Sequence, residues 1–311
     1  MTSEPTTTPA PRLGGLRLTY AIALMLFVGI TWGSTYSIAK FVTEAGLHPF
    51  GMTLWQGLGG GLLLLAICLV RRRLPPLSGR HIRFYVLCGT LGTALPSCVW
   101  FWIAPKLQSG MVAITGAMVP LVTLGLTLAL RVERFEPVRA LGIVLGLGSV
   151  LLIVLPETSL PERAMVGWVV VSLAIPVCYS SENMVLTLLR PPRIDSIALL
   201  CGMLLTGAIL MTPVVAATGG WVGLAPPWSA AEGWFMVLIL LNALSYFSFM
   251  ELIRLTGPVF AAQEGYVITI SGVLWGIYVF DEAHSGWVWL AMAVMFGGLA
   301  LVNPRAAAQP R

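Results

Sequence analysis

Charge is what this chain has least of: Asp, Glu, Lys and Arg together make up 10% of its 311 residues, against 57% hydrophobic. An ordinary soluble domain carries roughly 25% charged residues, so a single soluble globular fold is excluded. Histidine is scarce too, with three in all, and no GxSxG, HExxH or phosphate-binding loop occurs. The common hydrolase and nucleotide chemistries are therefore not expected, and the chain is read as a non-enzyme. The five cysteines (Cys68, Cys88, Cys98, Cys178 and Cys201) lie in apolar segments without ligand spacing. Neither a disulfide framework nor a metal site follows from them, and no cofactor is expected. The net charge of +5 rests on basic residues in short loops between apolar runs, which argues against a nucleic-acid partner.

What the chain has is hydrophobic length. Runs close to the roughly 20 residues that cross a bilayer fall at 19–41, 50–70, 82–103, 109–130, 138–155, 165–189, 196–217, 231–252, 258–279 and 286–303. The pattern predicts an all-α integral membrane protein with ten transmembrane helices. With the N-terminus inside, fifteen of the eighteen basic residues face the cytoplasm, and only Lys40, Lys106 and Arg163 face outward. That bias orients the protein in the cytoplasmic membrane with both termini cytoplasmic. The Thr- and Pro-rich start has no apolar signal-peptide core and reads as a disordered tail.

The second five spans repeat the first in pattern. "ALPSCVWFWIAPKLQSGMVAITG" at 94–116 aligns without a gap on "ALSYFSFMELIRLTGPVFAAQEG" at 243–265, an offset of 149 that also sets Glu133 on Glu282. Upstream the offset is 146, placing "WGSTYSIAK" at 32–40 on "CYSSENMVL" at 178–186. A unit with an odd number of spans must re-enter from the opposite side, so these are two inverted-topology five-helix repeats, as in many secondary transporters. The expected organisation is a tail at 1–18, repeats at 19–155 and 164–303, and a tail at 304–311.

With "GITWGSTYSIAK" in the first helix and "RVERFEPVRALGIVLGLGSVLLI" in the fourth-to-fifth hairpin, nearly the whole chain resembles the EamA-type branch of the drug/metabolite transporter superfamily. The resemblance implies a carrier of small metabolites, often an exporter of amino acids or related compounds, with a cavity formed mainly by helices one to four and six to nine. One departure stands out: Trp55-Gln56 occupies a place in the second helix where an Arg-Phe pair is common in the family.

Two carboxylates lie well inside the apolar segments, away from their ends, Glu182 in the sixth and Glu264 in the ninth. A charge near the bilayer centre costs about 2.5 to 3.5 kcal/mol on insertion scales, so each calls for a function. At about 1.5 Å per residue, Glu182, Glu264 and Tyr246 share one layer roughly 10 Å from the cytoplasmic side. Helical spacing puts Glu264, Ile268, Ser271 and Trp275 on one stripe, and Ser172, Pro176, Tyr179, Asn183 and Thr187 on another that Glu182 flanks. The first helix adds Trp32 and Tyr36, and the third adds Trp100. Aromatic walls with a few polar groups suit a small-molecule site. The expected substrate-binding set is Trp32, Tyr36, Trp100, Tyr179, Glu182, Asn183, Tyr246, Glu264, Ser271 and Trp275.

Two chemistries fit the carboxylates. A carboxyl group shielded from water can carry a proton at neutral pH and release it when wetted, making Glu182 and Glu264 proton-coupling candidates. An ionised one binds an ammonium group, with Trp32, Trp100 or Trp275 adding cation–π attraction. Bland alternatives are snorkelling of Glu182 or its pairing with Arg190, an interfacial Glu251–Arg254 pair, a snorkelling Lys40, and loop histidines without a role. The leading function is a secondary carrier working by alternating access. Its rivals are a carrier of a larger aromatic compound such as a vitamin or cationic drug, an intramembrane enzyme using the two glutamates as acid and base, and a non-transporting receptor, for which the loops are too short.

Overall fold

The computed structural model describes residues 15–132, 134–192, 194–256, 258–261 and 263–302. Residues 1–14 of the expected N-terminal tail, the tail at 304–311, and Glu133 with its proposed match to Glu282 lie outside them, whereas residues 15–18, expected in the tail, already belong to the first helix. Ten helical segments follow one another: α1 (Gly15–Glu44), α2 (Pro49–Val70), α3 (Gly79–Ile103), α4 (Ser109–Ala129), α5 (Pro137–Val154), α6 (Met165–Leu188), α7 (Ser196–Thr218), α8 (Ala230–Thr256), α9 (Glu264–Phe280) and α10 (Gly286–Val302). The first eight are long and apolar enough to cross a membrane, and α9 and α10 are apolar helices of 17 residues each. Among the described residues there is no strand.

Local chemistry sets several of the ends. His48 accepts a hydrogen bond from the Phe50 N–H and Pro49 opens α2, where its missing N–H costs nothing. Asp195 caps α7 through Ile197 N (3.0 Å) and Ala198 N (3.3 Å), and Gly219 closes it at φ 66°. Three helices are interrupted just ahead of a proline. α3 widens into a π-turn at Thr90–Ala94 before Pro96, α4 pauses at Ala117–Met118 before Pro120, and α6 breaks at Leu173 before Pro176. Each proline lacks the N–H that would bond four residues back, so the regular ladder fails there.

The ninth segment departs from expectation. Instead of one helix over 258–279, a single turn (Pro258–Ala261) precedes α9, whose first residue is Glu264. That carboxylate stands at a helix start rather than within a continuous helix.

The tightest helix pairs are α1 with α9 and α8, α2 with α7, α5 with α10, and α3 with α6 and α7, followed by α4 with α6 and α9. Glycines permit the close approaches: in the "GLGGG" run Gly57 faces Leu204 and Ala208 of α7, while Gly61 faces Leu205. The largest core joins α3, α4, α5, α6, α9 and α10 around Ile114, Leu121, Ile153, Val273 and Met295.

The two ends of the bundle differ. On the side away from the Arg71–Arg83 loop, Ala39, Val42, Met52, Phe101, Val222, Phe235 and Leu238 form one apolar layer from α1, α2, α3, α8 and the α7–α8 loop. Trp55 ties down that loop by donating from Nε1 to the Val222 carbonyl at 2.8 Å. Toward the arginine-rich side the packing divides into separate clusters: one, of Cys68, Ala198 and Cys201, pairs α2 with α7, and there are two more. Ala21, Leu252 and Ala261 join α1, α8 and the Pro258 turn, whereas Phe84, Tyr85, Cys88, Leu199 and Met203 join α3 and α7, with Val185 of α6 against them.

Candidate functional site

Between those two clusters lies a group of aromatic and acidic side chains. Trp32 meets Tyr246 edge-on at 5.1 Å and Phe249 at 5.7 Å, and its Nε1 donates to Asn242 Oδ1 at 3.2 Å. One turn along α1, Tyr36 meets Trp100 edge-on at 5.8 Å. Tyr179 is within electrostatic reach of Tyr36, Tyr246 and Glu182, and Tyr246 is within reach of both Glu182 and Glu264. Seven of the ten expected residues thus form one connected set drawn from α1, α3, α6, α8 and α9. Tyr246 is 43% exposed, so the set borders open space.

Neither carboxylate has an ion-pair partner among the described residues. Arg190 is occupied elsewhere, donating to Ser196 Oγ at 3.0 Å, and Glu264 Oε2 is buried without a hydrogen bond. Glu251 and Arg254 form the expected pair at the end of α8, Nε to Oε2 at 2.7 Å.

Three expected residues sit apart. Asn183 Nδ2 approaches Thr123 Oγ1 of α4 at 3.4 Å. Ser271 is buried in the α1–α9 seam and donates to the Gly29 carbonyl at 2.8 Å. Trp275 lines a separate crevice of about 420 Å³ with Ser34, Ser37, Phe41, Trp234 and Leu241. The stripe from Glu264 to Trp275 therefore turns against α1, because Gly29 and Gly33 let that helix in, and does not line a common cavity.

A second polar cluster was not legible in the sequence. Lys40 does not snorkel: its Nζ bonds Glu282 Oε1 at 2.8 Å, with side-chain exposures of 13% and 3%. Glu282 also accepts from Ser109 N (2.8 Å) and Gly110 N (3.4 Å), a carboxylate held at the start of α4. His284, with its side chain wholly buried, places Nε2 3.7 Å from Glu282 Oε2. Lys40 was countable in advance as one of three basic residues on its side, but its partner is 242 residues away in sequence.

Burial pushes the His284 imidazole below its ordinary 6.5, with Glu282 raising it and Lys40 lowering it by smaller amounts. The unfolded chain therefore takes up a proton here before the folded one does. Stability is full above pH 6.5 and falls as the pH drops below it. The apparent melting temperature in detergent should fall between pH 7 and 5, and His284→Gln should flatten that fall. An unchanged slope in the variant would assign the loss to other groups.

Among the described residues no three of His, Cys, Asp or Glu converge as metal ligands.

Comparison with known proteins places this geometry. Residues 19–155 match the model of the EamA-like transporter family. Protein PecM of Dickeya dadantii is 25% identical over 275 residues, covering 88% of each chain. The uncharacterized inner membrane transporter YedA of Escherichia coli K12 is 29% identical over 287 residues, covering 88% of this chain and 87% of that one. A protein of known crystal structure superposes with a TM-score of 0.58 at 18% identity, covering 90% of this chain and 96% of that one, which speaks to the fold alone. Helical architecture, the family match over residues 19–155 and the relatives agree on a membrane transporter that is similar to the EamA-like transporter family.

Proposed function

We propose that the protein is a secondary active transporter of small amine-bearing metabolites, amino acids foremost, working by alternating access between two inverted five-helix repeats and coupled to protons. The observation that carries this reading is the pair of glutamates, Glu182 and Glu264, both within electrostatic reach of Tyr246 and without a basic partner among the described residues. A buried acid left unpaired is costly unless a ligand or proton completes it. An ammonium group and a proton are the simplest species to do so, and they compete for the same oxygens. That competition is how exchange couples the two.

The packing supports alternating access. Exchanging the halves converts the α1–α9 contact into α6–α4 and the α1–α8 contact into α6–α3, while α2–α7 and α5–α10 map onto themselves. At one end an apolar layer joins α1, α2, α3 and α8, whereas at the other α1 and α8 pack in one cluster and α3 and α7 in another, as expected of a state facing the arginine-rich side. We take that side as cytoplasmic, which places the protein in the inner membrane with both termini inside, and export as the direction. The ring of Trp32, Tyr36, Trp100, Tyr179 and Tyr246 also favours a second reading, a larger aromatic cation.

The test is flux of neutral, aromatic and cationic amino acids into proteoliposomes, with and without a pH gradient. Wild type should move one class with the gradient, and Glu182→Gln or Glu264→Gln should remove the gradient's effect. Equal coupling in wild type and both variants would overturn the role given to the carboxylates.

A further inference from the structure

We propose that Gly92 is the positioning residue for the Glu182 carboxyl group, and that the π-turn of α3 is the seat on which that group works. This rests on the role given to Glu182 above. Gly92 lies in the middle of the Thr90–Ala94 turn. A β-carbon built on it would stand 2.0 Å from the carboxyl carbon of Glu182 and 2.1 and 2.3 Å from its two oxygens. The carboxyl group thus lies against bare backbone, at a distance that no residue but glycine permits. Widened turns of this kind recur at functional sites, where they re-aim one stretch of helix.

The entry to the same turn is fixed. A β-carbon on Gly89 would meet the Met203 carbonyl at 2.7 Å and Gly207 N at 3.0 Å, both backbone atoms of α7. Thr93 binds back to the Gly89 carbonyl at 2.5 Å and lies against Gly207. With α3 held on α7 by backbone contacts, an added methyl group at Gly92 cannot be absorbed by moving the helix. The Glu182 side chain, flexible and ending at the contact, must swing away instead. Gly92→Ala should therefore leave the fold intact and misplace one functional group.

The experiment compares wild type, Gly92→Ala, Glu182→Gln, Glu182→Asp and the double variant Gly92→Ala/Glu182→Asp in proteoliposomes, reading gradient-driven flux and its pH profile. Thermal unfolding in detergent checks the fold. Gly92→Ala should unfold like wild type yet lose gradient-driven flux by about tenfold or more, since misplacement of a reacting group by an ångström can cost that much. Its pH midpoint should shift as well. Aspartate is one methylene shorter, so the double variant should recover flux relative to Gly92→Ala, although Glu182→Asp alone lowers it. A wild-type flux and pH profile in Gly92→Ala, alongside lost coupling in Glu182→Gln, overturns the role of Gly92 and leaves that of Glu182 standing. Loss in Gly92→Ala without any recovery in the double variant also overturns it, assigning the defect to packing. Intact coupling in Glu182→Gln removes the reading on which the proposal stands.

Discussion

Glu282→Ala should destabilise the protein by about 3 to 5 kcal/mol, the usual cost of removing one partner from a buried ion pair. The carboxylate is 3% exposed and serves three donors at once: Lys40 Nζ, Ser109 N and Gly110 N. Its loss would strand an ammonium group beside the Phe280 ring, 4.7 Å from Nζ, and would free two N–H groups at the start of α4. Lys40→Ala should cost less, because Glu282 would still hold the helix N-terminus and its favourable dipole. The double variant should cost less than the sum of the two, since no charge is left unpaired. Unfolding in a detergent titration measures all three. A cost below about 1 kcal/mol for Glu282→Ala would mean that water reaches the pair and that it behaves like an exposed one.

Gly33→Ile should be the most damaging substitution in the α1–α9 seam. A β-carbon at Gly33 would lie 1.9 Å from Ser271 Oγ and 2.9 Å from Gly272 N. The serine can turn, but the backbone nitrogen cannot, so the two helices must part. Ser271 would then lose its 2.8 Å bond to the Gly29 carbonyl. The strain passes on, because Gly272 itself leaves room for Ala113 of α4, with a β-carbon there only 2.8 Å away. Overpacking costs about 1 to 3 kcal/mol in soluble cores, and a seam in which three helices meet belongs at the upper end. Gly148→Ile, at a position with open space around it, is the matched control and should be nearly neutral. Equal melting temperatures for the two variants would show that the seam is loose.

The helices were readable because hydrocarbon thickness fixes their length and arginine marks their ends. Pro96, Pro120 and Pro176 each stand just after an interruption, a link between residue type and break that is visible once the helices are in place. The break ahead of Glu264 was not readable, since "AAQEGYV" continues an apolar run and carries no proline of its own. The aromatic and acidic set was legible from depth and helical stripe. Those two measures fail for Ser271 and Asn183, whose polar atoms serve contacts between helices; a mixed face looks the same whether it meets a cavity or a neighbour. The Lys40–Glu282–His284 cluster escaped because each member, taken alone, resembles an ordinary charge at a membrane surface. Only the fold brings them together.

Lys40 and Ser109 belong to the first half of the chain and Glu282 to the second, so under the proposed alternating access this pair separates in any step that parts α1 and α4 from the end of α9. The time spent closed is then set by how far the joined charges outdo the same charges in water. Each 1.4 kcal/mol of that difference is about tenfold in the ratio of closed to open molecules. Under the proposed cycle, a contact placed well away from the glutamates would thereby govern how long they wait on one side before meeting the other.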